Sequence, residues 1–317
     1  MRDLLHPLLM ILSFAPLLGG AELVVRGASA LASRLRIAPI VVGLTLVAFG
    51  TSLPELVINI SAALRGQPTI ALGNVLGSNI FNIAASLGIL SIIRTLPISR
   101  RTTWAEIPVA FLAALVMTLV APNAVTRLEG LLLVSLFLLF LLYVALTMRR
   151  QAWDMDIPGG TDGRPVPSRG GAAILILVGL GILALGGEGV VRGAVGTARL
   201  LHVPEYVIAA TVVAIGTSLP ELVTGIVAIR RGEIDLAVGN VVGSNIFNVF
   251  FVLGTNALIR PIETIPRPFD HAFHILTTVM LFLFVFTGRG RQIERWEGVL
   301  LILVYGAYSL SLLLFTG

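Results

Sequence analysis

The chain has 317 residues, of which 56% are hydrophobic and 12% are charged, and its mean hydropathy is +0.96. A soluble domain of this length cannot bury so much apolar side chain, so the composition excludes a soluble protein and predicts one that crosses a membrane several times. The net charge is +5 and all 22 basic residues are arginines, but they do not cluster with aromatic residues, so no nucleic-acid partner is expected. The lack of cysteine excludes disulfides and thiolate metal sites.

Ten apolar segments, each long enough to cross a bilayer as a helix, follow one another along the chain. They cover approximately residues 5–32, 38–64, 69–93, 104–121 and 128–148 in the first half and 172–198, 204–229, 235–258, 270–287 and 296–315 in the second. The stretch between them is polar, rich in Gly, Pro, Asp and Arg, and too short to form a domain. The pattern predicts an all-α membrane protein with ten transmembrane helices: a five-helix repeat at 1–148, a linker at 149–171 and a second five-helix repeat at 172–317.

The first apolar segment has features of a secretory signal peptide, because Arg2 precedes it and small residues follow near Gly19. However, residues 21–28 (AELVVRGA) recur as residues 187–194 (GEGVVRGA), where a cleavage site would make no sense. We therefore expect the first segment to remain as a helix of the mature protein.

Two polar motifs interrupt the apolar segments, and each of them occurs twice. GTSLPEL lies at Gly50–Leu56 and Gly216–Leu222, while GNVLGSNIFN at Gly73–Asn82 returns as GNVVGSNIFN at Gly239–Asn248. Both pairs of copies are 166 positions apart, so the two halves are repeats of one unit.

The predicted orientation follows from the number of spans. Because each repeat has an odd number, the second repeat enters the membrane from the opposite side, and an inverted pseudo-twofold axis relates the halves. Arginines are concentrated in the loops on the same side as the linker, which marks that side as cytoplasmic. We expect both termini outside and the linker in the cytoplasm.

Each GTSLPEL motif places polar groups in the middle of a span. Pro54 lacks an N–H and Gly50 adds flexibility, so the second helix should break there and release the carbonyl groups of Ala48 and Thr51. Glu55 follows directly, and an ionised carboxylate in the middle of a bilayer costs at least about 3 kcal/mol unless a cation or a proton compensates it. If the halves pack across an inverted axis, this glutamate meets its equivalent, Glu221. The second motif repeats the whole set with Ala214, Thr217, Ser218, Pro220 and Glu221.

The GNVLGSNIFN motif supplies hydroxyl and amide groups. Ser78 and Asn82 are four residues apart and share a helix face, as do Ser244 and Asn248 in the second copy. The glycines permit local unwinding, so helices 2, 3, 7 and 8 are all expected to be broken. A site of carboxylate, hydroxyl, amide and carbonyl oxygens, without His or Cys, suits Ca²⁺ and Na⁺ far better than Zn²⁺. The remaining motif asparagines are interpreted as packing or capping groups: Asn74, Asn79, Asn240 and Asn245.

The duplicated motifs resemble the two α-repeats of the calcium/cation antiporter superfamily, in particular those of prokaryotic sodium/calcium exchangers, and the likeness covers nearly the whole chain. It implies exchange of Ca²⁺ for Na⁺ by alternating access in a prokaryotic cell membrane, with the monomer as functional unit, no cofactor and no enzymatic activity. Glu55 and Glu221 resemble the central ion-binding pair. Asn248 departs from the pattern because some relatives have Asp there, which disfavours potassium coupling. The further ligands implied are the backbone oxygens of Ala48 and Ala214 and the side chains of Thr51, Thr217, Ser52, Ser218, Ser78, Ser244, Asn82 and Asn248.

Three alternatives to a sodium-coupled exchanger stay open. A glutamate pair can bind protons, so the same fold can serve as a Ca²⁺/H⁺ exchanger. A cation channel is a second alternative. An intramembrane enzyme with paired carboxylates is the third, although the chain has neither a GxGD motif nor a Ser/His pair that would serve it.

The remaining charged and titratable residues have structural interpretations. Glu22 with Arg26, and Glu188 with Arg192, are spaced as ion pairs on one helix face, near the membrane interface. The four histidines lie near predicted helix ends and are interpreted as interfacial, not as metal ligands: His6, His202, His271 and His274.

Overall fold

The computed structural model describes residues 5–100, 102–120, 124–151, 167–203, 214–262, 268–287 and 290–314. Nearly all of this backbone is helical, as the composition and the apolar segments predict. The described part of the chain also contains one short antiparallel ladder, in which β1 (Leu96–Pro97) pairs with β2 (Gln292–Ile293).

Six helices form the first half. They are α1 (Leu5–Leu35), α2 (Pro39–Thr51), α3 (Leu53–Leu64), α4 (residues 68–93), α5 (Thr102–Val120) and α6 (Arg127–Gln151). In the second half the described helices are α7 (Arg169–Leu200), α8 (Ala214–Thr217), α9 (Leu219–Arg230), α10 (Ile234–Ile259), α11 (Pro268–Phe284) and α12 (Arg295–Leu314). Part of the predicted seventh span, at 204–213, lies outside the described residues.

Six of the described helices are each long and apolar enough to cross a bilayer: α1, α4, α5, α6, α7 and α10. Together, α2 and α3 form a further candidate span that is bent by 44°. The protein is therefore a multi-pass membrane protein. Helices α9, α11 and α12 fall within the three remaining predicted spans, where the ten-span layout stays a prediction.

The structure contains two equivalent helix breaks, at Ser52 and Ser218. These residues have φ/ψ values of −86°/9° and −94°/6°, and each separates two helical segments. Pro54 and Pro220 each occupy the second position of the following helix, where the missing N–H costs no helical hydrogen bond. The break therefore forms where the proline can begin a new helix instead of disrupting an old one.

The predicted breaks in the third and eighth spans are wrong. Both helices, α4 and α10, continue without interruption through the GSNIFN motifs. Each instead contains a π-helical stretch, at Phe81–Leu87 in α4 and at Asn248–Leu253 in α10. A π-helical turn holds more residues than an α-helical one, so the helix widens locally and the backbone stays hydrogen-bonded.

The two long helices α1 and α7 pack antiparallel through glycines. A Cβ atom on Gly20 would lie 2.8 Å from the carbonyl oxygen of Gly179, and a Cβ atom on Gly27 would lie 2.8 Å from that of Ala172. Small residues let helix backbones approach this closely in a membrane. Since α1 and α7 are related by the 166-residue repeat, these equivalent helices run in opposite directions.

Helix α2 packs against α10 in a similar way, but in a parallel direction. A Cβ atom on Gly43 would lie 2.7 Å from the carbonyl oxygen of Leu236, and one on Gly243 would lie 2.8 Å from the Cβ of Ala48. This contact places the GTSLPEL motif of the first half beside the GNVVGSNIFN motif of the second.

Replacing Gly20 by valine tests the α1–α7 packing. We expect the G20V protein to lose about 1–3 kcal/mol of stability, because the larger side chain collides with the α7 backbone. The neighbouring Gly19 is an exposed helical glycine whose Cβ would meet no atom within 4 Å, so G19V is the matched control. The unfolding temperatures of the two variants are measured in detergent, with size-exclusion chromatography as the readout of folded protein. Equal unfolding temperatures would contradict the packing.

Candidate ion-binding site

The two motif glutamates begin the helices that follow the breaks. Glu55 lies in the first turn of α3 and Glu221 in the first turn of α9, and both side chains are fully buried. The positive end of a helix dipole favours a carboxylate at this position. This interaction offsets only part of the cost of burying a charge, so other groups must contribute.

The glutamates of the two halves are held by each other's helix breaks. The Ser52 hydroxyl donates a hydrogen bond to Glu221 Oε1 at 2.8 Å, and the Ser218 hydroxyl donates one to Glu55 Oε1 at 3.2 Å. The two carboxylates are close enough to interact electrostatically. The structure thus brings together two acidic side chains that are 166 positions apart in the sequence.

A second hydroxyl contacts each carboxylate from within its own half. The Ser78 hydroxyl on α4 lies 3.4 Å from Glu55 Oε1, and the Ser244 hydroxyl on α10 lies 3.4 Å from Glu221 Oε1. Two serines, one from each half of the chain, therefore contact Oε1 of each carboxylate. The other oxygen, Oε2, is buried in both glutamates and accepts no hydrogen bond from the described residues.

The predicted threonine ligands are also buried at the breaks. The Thr51 hydroxyl donates to the Asn240 side-chain oxygen at 3.1 Å, and it lies 3.4 Å from the carbonyl oxygen of Ala48. Thr217 is 6% exposed, and its side chain lies close enough to Glu55 to interact with the carboxylate. Both threonines thus lie next to the carboxylate pair.

The expected release of the Ala48 carbonyl is wrong. The backbone N–H of Ser52 donates to this oxygen at 3.1 Å, because Ser52 is still the last hydrogen-bonded residue of α2. In the second half, the Ser218 N–H donates to the Ile215 oxygen at 3.2 Å. The Ala48 carbonyl predicted as a ligand therefore remains hydrogen-bonded within its own helix.

Asn82 and Asn248 are fully buried on the two π-helical stretches. Neither amide atom of Asn82 has a hydrogen-bond partner among the described residues, and the same holds for Asn248 Oδ1 and for the Ser86 hydroxyl. Buried polar atoms without partners are costly, and their presence indicates a ligand or water. Since the unpartnered oxygens include carboxylate, amide and hydroxyl groups, this donor set fits a hard cation such as Ca²⁺ or Na⁺.

Several residues near the site have roles that the sequence interpretation missed. Asn240 accepts from Thr51 and donates to the Glu221 backbone oxygen at 3.3 Å, so it links the two halves. Asn79 links α4 to α10 and α11, because its amide contacts Asn245, Asn248 and His274. The motif asparagines at these positions therefore connect helices as well as packing against them.

The interfacial interpretation of His274 is wrong. Its side chain is 1% exposed, and its Nε2 lies 3.3 Å from the Asn79 amide nitrogen. Asp270, His271, Thr277 and Thr278 are also buried on α11. Polar residues recurring at spacings of three and four in an apolar helix were the signal that could have indicated a buried face.

One of the two predicted ion pairs has a different partner. Glu188 binds Arg192 at 2.6 Å on the exposed surface of α7, as the spacing predicts. Glu22 instead binds Arg231, which follows α9, and Ser29 on the same helix bonds to Glu233. These contacts attach α1 to the turn between α9 and α10.

Comparison with known proteins identifies the family. The family described as "Sodium/calcium exchanger protein" matches residues 5–146 and 171–314. The chain belongs to the sodium/calcium exchanger family. The matched segments coincide with the two halves on either side of the predicted linker.

Individual relatives agree with this membership. The sodium/calcium exchanger MaX1 of Methanosarcina acetivorans is 38% identical over 130 residues, which cover 41% of this chain and 37% of MaX1. The inner membrane protein YrbG of Escherichia coli K12 is 34% identical over 226 residues, and these cover 68% of each chain. The alignment with MaX1 thus spans about a third of that protein, whereas that with YrbG spans about two thirds.

Solved structures of the sodium-calcium exchanger NCX_Mj have the same fold. The structure soaked with Na⁺ and without Ca²⁺ superimposes with a TM-score of 0.83 and 28% identity, covering 98% of this chain and 99% of that one. A structure soaked with Na⁺ and Sr²⁺ gives a TM-score of 0.83 and 27% identity.

The crossed hydrogen bonds of the site are testable with a double-mutant cycle. We expect the stability effects of Ser52→Ala and Glu221→Gln to be non-additive by about 0.5–3 kcal/mol, because both changes remove the same bond. The control pair is Ser52→Ala with Ser78→Ala, since these serines contact different glutamates. Both cycles are calculated from unfolding free energies measured on the ion-free protein. Equal non-additivity for the Ser52–Glu221 pair and the control pair would contradict the crossed arrangement.

Proposed function

We propose that this protein exchanges Ca²⁺ for Na⁺ across the membrane by alternating access to the site at Glu55 and Glu221. The observation that carries the proposal is the crossed pairing, in which each buried carboxylate is held by the serine at the other half's helix break. Within the described part of the chain, the ion pairs involve other residues and leave both glutamates uncompensated. A transported cation supplies the missing charge.

Charge balance explains why such a site exchanges ions instead of leaking them. One Ca²⁺ neutralises two carboxylates, and two or more Na⁺ do the same. An empty site leaves two like charges close together in a medium of low dielectric constant, which is strongly unfavourable. The change between the outward-open and inward-open states is therefore favourable only when ions occupy the site, and this requirement couples the two fluxes.

We propose that the ligands are the oxygens around this pair. The hydroxyl groups of the four serines contact the carboxylates directly, and the unpartnered amide oxygens of Asn82 and Asn248 complete a set of hard ligands. The full proposed set comprises Glu55, Glu221, Thr51, Thr217, Ala48, Ala214, Ser52, Ser218, Ser78, Ser244, Asn82 and Asn248. The neutral Asn248 favours transport without K⁺, since it adds no third negative charge.

The proposed architecture is ten transmembrane helices in two inverted repeats, at 1–148 and 172–317, joined by a cytoplasmic linker at 149–171. The antiparallel packing of α1 and α7 supports the inversion. The β1–β2 ladder and the Val125–Ile262 bridge support an alternating arrangement of spans, because each joins two loops that must share a side. We further propose a prokaryotic cell membrane, both termini outside and a functional monomer.

Neutralising either central carboxylate should stop exchange. We expect Glu55→Gln and Glu221→Gln each to reduce Na⁺-driven uptake of radiolabelled Ca²⁺ into proteoliposomes by more than about tenfold, because each removes half of the charge that binds Ca²⁺. Glu188→Gln is the matched control, since this glutamate lies on the surface of α7 and is more than half exposed. Near-normal uptake by both central variants would refute the central-pair mechanism.

The coupling ion is tested by comparing two driving forces in the same vesicles. We expect an outward Na⁺ gradient to accumulate Ca²⁺ against its concentration gradient, and a pH gradient of matched voltage to accumulate little. The reverse result would identify a Ca²⁺/H⁺ exchanger of the same fold. Ca²⁺ movement only down its own gradient would identify a channel and overturn antiport.

A further inference from the structure

A chain of side-chain amides connects His274 to the proposed ion site. The Asn79 amide nitrogen has two acceptors, the Asn245 backbone oxygen at 3.2 Å and His274 Nε2 at 3.3 Å. Its side-chain oxygen accepts a hydrogen bond from the Asn248 amide nitrogen at 3.1 Å. Asn248 Oδ1 then remains, buried and without a partner among the described residues.

This arrangement fixes the direction of both amides. An amide has a donor side and an acceptor side, so the choice of partner on one side decides what the other side presents. Because Nε2 of His274 acts as an acceptor, Asn79 must direct its nitrogen toward the histidine and its oxygen toward Asn248. Asn248 must then direct its nitrogen toward Asn79, which leaves its oxygen as the free group.

The repeat-related set of residues lacks this chain of amides, so the molecule contains its own comparison. The position equivalent to His274 is Pro108, which has no side-chain acceptor. Asn245, the equivalent of Asn79, donates to the Val241 oxygen of its own helix at 2.9 Å. Asn82, the equivalent of Asn248, has no hydrogen-bond partner on either amide atom among the described residues. Only the amide linked to the histidine is oriented by such a chain in the described structure.

We propose that His274 is a positioning residue for ion binding: it accepts the Asn79 amide and thereby holds the Asn248 oxygen available to the transported cation. The inference rests on the proposed function, since it takes Asn248 as an ion ligand. His274 acts through two asparagines and does not itself contact the cation.

The test measures the binding of Ca²⁺ calorimetrically to the wild type and to two variants. His274→Gln keeps a side-chain acceptor, and His274→Phe removes it. We expect H274Q to bind nearly as the wild type does, and H274F to bind about tenfold more weakly, a loss of about 1.4 kcal/mol. Recovery of binding in H274Q would show that the acceptor, and not the shape of the ring, positions the amides.

The matched control is His271→Gln, which alters the same residue type one turn earlier on α11. His271 is 7% exposed and neither of its ring nitrogens has a hydrogen-bond partner among the described residues. H271Q should keep the wild-type affinity for Ca²⁺.

Wild-type affinity in H274F, or a loss of about tenfold in H274Q, would overturn the inference. If H274F does not fold, H274Q decides alone, because its retained acceptor must preserve binding. Ion binding that depends on His274 without Ca²⁺ transport would refute the proposed exchange only. Transport that is indifferent to His274 would refute the positioning role only, and the absence of any ion binding would refute both.

Discussion

The structure depends on the burial of two carboxylates in a part of the molecule where neither has a basic partner among the described residues. Each half of the chain contributes one glutamate and also the serine that holds the other half's glutamate. Neither half can therefore form the site by itself. Burying like charges together is strongly unfavourable, so the fold is compatible with this arrangement only if something neutralises it. That requirement relates the stability of the core directly to the occupancy of the site.

The helix breaks direct the glutamates into the protein, and the glycines let the helices that carry the motifs approach each other closely. The break at Ser52 directs the start of α3, and with it Glu55, into the centre of the protein, while Pro54 takes a position where its missing N–H is harmless. Glycines on α2 and α10 allow the backbones to approach closely enough for the motifs of opposite halves to meet. Helices α1 and α7 pack against each other through their own glycine contacts. Helix α1 is attached to the turn after α9 by Glu22 and Ser29, whereas Glu188 on α7 bonds within its own helix.

Repetition in the sequence explains why much of this could be predicted. Two gap-free motif pairs at a constant spacing indicated equivalent breaks, and both breaks lie within the GTSLPEL motifs. The apolar lengths predicted the helices, most of which begin and end within a few residues of the expected bounds. The errors occurred where tertiary packing decides the outcome. The glycines in GSNIFN predicted breaks, yet α4 and α10 remain continuous helices that contain π-helical stretches. Glu22 had a suitable partner on its own helix, but Arg231 lies within reach across the bundle, and sequence spacing cannot reveal that contact.

The sequence repeat did not indicate a role for His274. Comparing the two halves identifies the residues that they share, and His274 has no equivalent in the first half, where Pro108 occupies its position. In the proposed exchange, Ca²⁺ and Na⁺ differ in charge and in the number of ligands they require, so the proposed site must distinguish them. Differences between the two halves provide one way to do so. The structure contains such a difference at Asn82 and Asn248, which are equivalent in sequence, because among the described residues only Asn248 is oriented by an amide bonded to a histidine. The shared motifs supply the carboxylates and hydroxyls of the proposed site, and residues outside the repeat are where we propose that its selectivity arises.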